Sequence, residues 1–166
     1  MMKIYLFISG LLGVTLQFFY ASRLPATVAN HFGFGGRPNG WMSNEANLVL
    51  GISMYVLITS LFLSMPVVLR KSPLSIINFP KKSYWLAPER KAASIPLIAS
   101  WLQFMGVATN LFLLIVFHLV YLANTRTPPH LNERIFLNSL VAYLVIAIGW
   151  LIALYNKFNK IPVTPK

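Results

Sequence analysis

The segment RLPATVANHFGFGGRPNGWMS, residues 23–43, lies between two long apolar runs and decides how the rest of the chain is interpreted. Each of its glycines permits backbone angles that other residues resist, and each of its prolines restricts one. Together with the aromatic residues between them, they are typical of a folded, specific loop rather than a slack linker. We therefore predict a structured loop over residues 21–45.

Four runs without a charged residue follow one another along the chain, at about 4–20, 46–69, 96–123 and 135–155. A helix needs about 20 residues to cross the core of a bilayer. Lipid offers the backbone no hydrogen-bond partner, so each run is expected to be helical. The sequence predicts an all-α integral membrane protein in which four transmembrane helices form one bundle and one domain, residues 1–166. Pro66 should kink or end the second helix, and Pro96 should lie in the first turn of the third.

The first run follows Lys3, which is also how a signal peptide begins. A signal peptidase site requires small residues one and three positions before the cut. The sequence Phe19-Tyr20-Ala21 offers a small residue at only one of these positions. We therefore expect this helix to be an uncleaved anchor.

The composition is that of a membrane protein with a strong basic excess. Only 10% of the residues are charged, against about 25% in a soluble domain. The 14 Lys and Arg outnumber three acidic residues, but they are scattered around apolar spans, which argues against nucleic-acid binding. The absence of cysteine excludes disulfides and thiolate metal sites.

The Lys and Arg residues are distributed unequally between the two ends of the predicted helices. The opening loop and the connection 124–134 carry four of them, Arg23, Arg37, Arg126 and Arg134. The termini and the second loop, residues 70–95, carry ten: Lys3, Arg70, Lys71, Lys81, Lys82, Arg90, Lys91, Lys157, Lys160 and Lys166. The positive-inside rule therefore predicts cytoplasmic termini, a cytoplasmic second loop and an external opening loop.

Two loops carry a family resemblance. The opening loop contains Leu24-Pro25, Asn30-His31-Phe32 and Gly36-Arg37-Pro38-Asn39-Gly40-Trp41, and the second contains NFPKKSYWLAPER, residues 78–90. These motifs resemble the signature of an uncharacterised prokaryotic membrane domain, the domain of unknown function 1648. It also forms the amino-terminal part of SdpI-type immunity and signal-transducing proteins. The resemblance covers about the first 120 residues.

The resemblance implies a prokaryotic cytoplasmic (inner) membrane and a non-enzymatic accessory or interaction role, with immunity to a secreted toxin as one possible inheritance. Its outer-loop positions are candidates for recognition or for loop structure: Pro25, His31, Phe32, Gly36, Pro38 and Trp41. Most members of this domain have no assigned activity. The expected partners are the lipid bilayer and a protein partner or a second copy of the chain.

His31 has two interpretations besides recognition. Because Glu45 is the only other metal-ligating side chain in its loop, the residues are too few for an autonomous metal site. We expect a structural histidine that hydrogen-bonds within the loop, and no cofactor. Trp41, Phe32 and Phe34 are suited to the lipid interface and equally to a binding platform.

A polar stripe is predicted on the third helix. At 100° per residue, Gln103, Asn110 and His118 fall within about 80° of one another, so they are expected to face neighbouring helices. His118 could alternatively contact a haem or quinone, but no other span contains a histidine for bis-histidine ligation. Small-residue faces on the first helix (Ser9, Gly13, Gln17) and the fourth (Asn138, Ala142, Gly149, Ala153) indicate close packing, internal or with another subunit.

In the second loop, Tyr84 and Trp85 beside Lys81 and Lys82 are expected to rest on the membrane surface or to dock a cytosolic partner. The three acidic residues, Glu45, Glu89 and Glu133, lie at span edges and suggest no catalytic pair. The sequence therefore favours a non-enzymatic interaction or accessory protein. The alternatives are a small subunit of a redox complex that contacts a haem or quinone through His118, and, less favoured, a transporter.

Overall fold

The computed structural model describes residues 1–161, and helices make up most of this part of the chain. Four of the helices are long and alternate with shorter elements. In chain order the elements are α1 (Met2–Ala21), β1 (Thr27–Phe32), a 3-10 turn (Phe34–Gly36), β2 (Pro38–Ser43), α2 (Asn44–Lys71), α3 (Lys82–Trp85), α4 (Pro88–Asn124) and α5 (Glu133–Asn159).

The four long helices, α1, α2, α4 and α5, are each long and apolar enough to cross a membrane. This confirms the predicted number of apolar helices in the described residues and makes a multi-pass membrane protein the natural interpretation. Their boundaries extend beyond the predicted spans at every end, mostly because polar and charged residues continue the helical turns outside the apolar stretches.

The largest boundary error concerns the start of α4. The helix begins at Pro88, eight residues before Pro96, so Pro96 lies inside the helix and not in its first turn as predicted. Pro88 takes the first helical position, where a missing N–H costs no intrahelical hydrogen bond. Likewise α2 continues through Pro66 to Lys71. The second loop is therefore shorter than the predicted 70–95, and it contains α3.

The all-α prediction was wrong for the opening loop, which folds as an antiparallel β-hairpin of β1 and β2. Its pairing runs from Thr27 opposite Ser43 to Phe32 opposite Pro38, with irregularities on both sides of His31. An isolated two-stranded sheet is marginally stable in water, so this hairpin depends on contacts with the helices. Ser43 ends the hairpin and caps α2, since its side chain accepts a hydrogen bond from the Ala46 N–H.

Helices α1, α2 and α4 pack against one another, and glycines set the distance between α1 and α2. A Cβ atom at each of these glycines would collide with a side chain of the facing helix. The antiparallel pairs are Gly10 with Thr59, Gly13 with Tyr55, and Gly51 with Gln17. Glycine removes the side chain that would hold two backbones apart, as expected for helices in lipid. The small-residue face predicted on α1 is thus used inside the protein.

Helix α5 lies along α4 and remains largely exposed. Hydrogen bonds join the two helices at two levels, Thr109 with Tyr143 at 3.0 Å and the Trp150 indole with the Trp101 carbonyl at 2.9 Å. The predicted bundle of four therefore consists of three mutually packed helices and a fourth attached to one of them. The small residues Gly149 and Ala153 on α5 are exposed.

The two ends of the helices differ in structure. We call the end that carries β1 and β2 the hairpin end, and the other the basic end. At the basic end, residues from α2, the second loop, α4 and α5 form a buried apolar cluster that includes Leu69, Trp85, Ile98 and Phe158. Nine of the Lys and Arg residues predicted for one side belong to this end of the described residues.

The glycine packing can be tested by one substitution at two sites. Gly13→Ala should lower stability by about 1–3 kcal/mol, because the new methyl group overlaps the buried ring of Tyr55. Gly149→Ala should be neutral or stabilising by up to about 1 kcal/mol, since no atom of residues 1–161 lies within 4 Å of its Cβ position and alanine favours helix. The measurement is the midpoint of thermal unfolding in mild detergent. Equal effects at both sites would contradict the packing described.

Candidate functional site

The hairpin end presents the best-built surface of the protein, which we call the cap: β1, β2, the turn between them and the connection 125–132. Its attachment to α4 depends on Asn124 at the last turn of that helix. The Ala29 N–H donates to Asn124 Oδ1 at 2.7 Å, and Asn124 Nδ2 donates to the Ala29 carbonyl at 2.8 Å. Asn124 Nδ2 donates its second hydrogen to the Val120 carbonyl at 2.9 Å.

This pairing imitates a neighbouring strand. Ala29 is fully buried in β1, where an unpaired backbone N–H or C=O would cost about 1–3 kcal/mol. The side-chain amide supplies both partners at once, in the donor and acceptor arrangement of a β-ladder. Asn124 therefore holds the edge of β1 against the end of α4 and fixes the position of the hairpin relative to that helix.

The tip of the hairpin is attached to the connection between α4 and α5. The Leu131 N–H donates to the Gly36 carbonyl at 2.9 Å, and the Gly35 N–H donates to Glu133 Oε2 at 3.1 Å. Gly36 has a φ of +72°, and a Cβ atom there would collide with the carbonyl oxygen of Leu131. Only glycine suits this position, because any side chain would be both strained and obstructed.

The predicted outer-loop residues divide into buried supports and exposed groups. Gly36 is buried, and Phe32 packs against the cluster of Leu119, Ala123 and Leu131, so neither forms an open surface. Pro38 is half-buried at the start of β2. The exposed members of the set are Pro25, His31 and Trp41.

The exposed part of the cap is aromatic. Phe34 at the tip is 97% exposed, and Trp41 on β2 is 52% exposed. His31, also exposed, pairs through Nδ1 with Asn39 Oδ1 on the facing strand. Arg37 adds a positive charge between these residues in the chain. Large apolar side chains held outward by a fixed backbone are suited to contacts with a partner or with the lipid interface.

His118 does not share the environment of the other stripe residues. Gln103 and Asn110 are buried, whereas His118 is exposed. Its Nδ1 lies 3.1 Å from the Tyr20 hydroxyl, and Tyr20 stacks on Tyr121 with ring centroids 4.6 Å apart. His118 therefore contacts the neighbouring helix α1 through Tyr20 at an exposed position, whereas Gln103 and Asn110 lie inside the helix packing.

Asn110 connects the three packed helices through polar contacts. Its Nδ2 donates at 3.1 Å to Ser9 Oγ on α1 and at 3.1 Å to Thr59 Oγ1 on α2. Such bonds satisfy polar groups that cannot reach water. Among residues 1–161, four buried side-chain atoms have no hydrogen-bond partner: Gln17 Nε2, Asn44 Oδ1, Tyr55 Oη and Asn110 Oδ1.

The second-loop residues have separate environments. Trp85 is buried at the basic end, and its indole N–H donates to the Phe158 carbonyl at 2.7 Å, so it is not the predicted surface contact. Lys82 is half-buried and donates to the Ile77 carbonyl at 2.8 Å. Tyr84 lies beneath the Arg90 guanidinium, 4.3 Å from ring centroid to Cζ. Lys81 is exposed, with a left-handed φ of 48°.

Sequence reasoning missed Asn124 and Tyr20 as positioning residues. Asn124 sits at the end of an apolar run, where asparagine commonly ends helices, so its long-range role had no local signal. Within residues 1–161, no group of three or more His, Asp or Glu side chains is placed to hold a metal ion.

Comparison of the chain with models of known protein families, with curated proteins and with solved structures finds no match. The resemblance of the two loops to the uncharacterised membrane domain therefore rests on their motifs alone.

The contribution of the Asn124 contact can be measured directly. Asn124→Ala should destabilise the cap by about 2–4 kcal/mol, because it leaves the buried N–H and C=O of Ala29 without partners. The measurement is amide hydrogen exchange of Ala29, expected to accelerate together with the rest of β1. Asn138→Ala, at an exposed asparagine of α5, is the matched control. Unchanged exchange at Ala29 would show that the cap is held by other contacts.

Proposed function

We propose that the protein is a non-enzymatic integral membrane protein, related to the SdpI-type proteins, whose cap recognises a partner or ligand outside the cytoplasmic membrane of a prokaryote. The observation that carries this proposal is that the cap combines a fixed backbone with an exposed aromatic side chain. Its backbone is fixed at Ala29, Gly35 and Gly36 by hydrogen bonds from distant parts of the chain, yet Phe34 remains almost fully exposed.

Preorganisation is the physical advantage of this arrangement. A free hairpin would lose conformational entropy on binding, whereas one already held by α4 and α5 loses little. Aromatic residues such as Trp41 and Phe34 often dominate the energy of protein interfaces. A role in lipid anchoring alone would not require the tip to be attached to Leu131 and Glu133.

The proposed orientation places the hairpin end outside and the basic end in the cytoplasm. Its support is the concentration of Lys and Arg at the basic end, in agreement with the positive-inside rule. Lys91 illustrates one local function of these cations, since its Nζ donates to the Arg70 carbonyl at the end of α2, at 2.8 Å. A cation there also complements the negative end of the helix dipole.

A second candidate function is that of an accessory subunit of a redox membrane complex, with His118 near a haem or quinone of another subunit. The observation that favours it is the exposure of His118 combined with the Tyr20 contact at Nδ1. This contact orients the ring and leaves Nε2 as the nitrogen for an external group. The two functions differ in the surface used, the cap or the membrane-exposed side of α4.

The orientation predicts an asymmetric labelling pattern. The chain has no cysteine, so single-cysteine variants report one position each. In intact cells, a membrane-impermeant maleimide should label Phe34→Cys, whereas Ile76→Cys, which is also exposed, should react only after permeabilisation. The reverse pattern would invert the orientation and remove the cap from the outer surface.

Recognition by the cap predicts a specific cross-link. A photo-reactive amino acid at position 34, activated in native membranes, should give one discrete protein adduct, and Trp41→Ser should reduce its yield at least about tenfold if Trp41 is a hot spot. The same group at Val141, an exposed position on α5, is the control and should give lipid adducts. Only lipid adducts at position 34 would make the cap a membrane anchor. The photo-reactive amino acid is also placed at position 118. An adduct with a redox subunit there, without a protein adduct at position 34, would favour the second function.

A further inference from the structure

A continuous apolar groove runs between α4 and α5 on the exposed side of the protein. It consists of two cavities of about 470 and 510 Å³ that share Phe104 and Ile146 in their walls. The cavity nearer the basic end is lined by α4, by α5 and by Met2 at the start of α1. Neither the cap nor His118 belongs to this groove.

The part of the groove nearer the basic end has a defined shape. Trp101 and Trp150 form its walls, and the hydrogen bond from the Trp150 indole to the Trp101 carbonyl holds the two helices together there. Gly149 forms an open floor, since no atom in the described part of the chain lies within 4 Å of the position its Cβ would take. The space is thus an opening that a side chain on α5 would fill, and the sequence places glycine there.

The length of this cavity corresponds to one leaflet of a bilayer. Its α5 wall extends from Val145 to Ala153, which is about 12 Å at the rise of an α-helix. Half of a hydrocarbon core of about 30 Å is about 15 Å. An acyl chain of one leaflet therefore fits the length of this cavity.

Positive charge lies directly beyond this cavity. Lys157 is one helical turn past Ala153, and Lys157 and Lys160 line a neighbouring cleft of about 400 Å³ beside Trp85. Lys3 follows Met2, the α1 residue of the cavity wall. Glu89, the only acidic residue at this end of the described chain, is paired with Arg90 at 2.9 Å. The rim is therefore complementary to an anion.

We propose that this part of the groove binds one anionic phospholipid. Its acyl chain lies over Gly149 between Trp101 and Trp150, and its phosphate is held by Lys157 and Lys160. The apolar cavity selects a lipid over a soluble phosphate, and the two lysines select an anionic headgroup over a zwitterionic one, since each lysine near a membrane surface contributes about 1 kcal/mol.

The test is lipid binding to the full chain in mild detergent, measured by native mass spectrometry with phosphatidylglycerol or phosphatidylcholine. We expect one phosphatidylglycerol per chain to be retained in preference. The double variant Lys157→Gln/Lys160→Gln should weaken its binding roughly 25-fold, about fivefold per lysine. Gly149→Leu should lower the retention of both lipids, because its side chain would project into the cavity.

Two matched controls distinguish a specific lipid site from a general effect of positive charge or of side-chain size. Lys71→Gln removes an exposed lysine of the basic end that lines neither cleft, and Ile152→Phe adds bulk to the exposed side of α5 outside the cavity; both should bind as the unaltered chain does. Equal retention of the two phospholipids, or an equal loss in Lys71→Gln, would overturn the proposal. If Gly149→Leu abolished dimers instead of lipid retention, the groove would belong to a second copy of the chain.

Discussion

The architecture at the hairpin end depends on one constraint, which is that a buried backbone group must have a hydrogen-bond partner. The strand β1 has an edge that faces α4, and Ala29 on that edge is fully buried. Asn124 meets the constraint with both atoms of its amide. Because asparagine also bonds to Val120 of its own helix, the side chain has no freedom to follow an alternative register of the hairpin. The position of Phe34 and the other exposed residues of the cap follows from this contact and from the tip bonds at Gly35 and Gly36.

The four long apolar helices are also held together by specific contacts, which are of a different kind. Lipid does not drive apolar helices together, so their association depends on close packing and on polar contacts. Glycines at 10, 13 and 51 allow close packing between α1 and α2. Asn110 supplies polar contacts by donating hydrogen bonds to Ser9 and Thr59. Helix α5 has the same kind of small-residue face but leaves Gly149 uncovered. One feature of sequence thus has two structural outcomes, an internal contact and an open groove, and the groove is where we place an anionic lipid.

Two residues, His118 and Trp85, show that a local pattern does not decide how a side chain is buried. The spacing of Gln103, Asn110 and His118 does place them near one side of a helix, yet Gln103 and Asn110 are buried, whereas His118 is exposed and contacts the Tyr20 hydroxyl of α1. Tyr84-Trp85 beside two lysines has the composition of a membrane-surface segment. The indole of Trp85 nevertheless bonds to Phe158, 73 positions later in the chain, and is buried. In both cases the deciding contact comes from a distant segment that local composition does not describe.

The sequence by itself determined the four apolar helices, the unequal distribution of Lys and Arg, and the existence of a constrained loop over residues 23–43. These are properties of composition within a single segment, and hydropathy measures them directly. Only the tertiary structure decided that this loop is a β-hairpin, that Asn124 holds it, and that α5 stands beside the other three helices. Strand pairing, the partner of a buried amide and the covering of a glycine face are contacts between distant segments, so their free energy exists only once those segments are packed together.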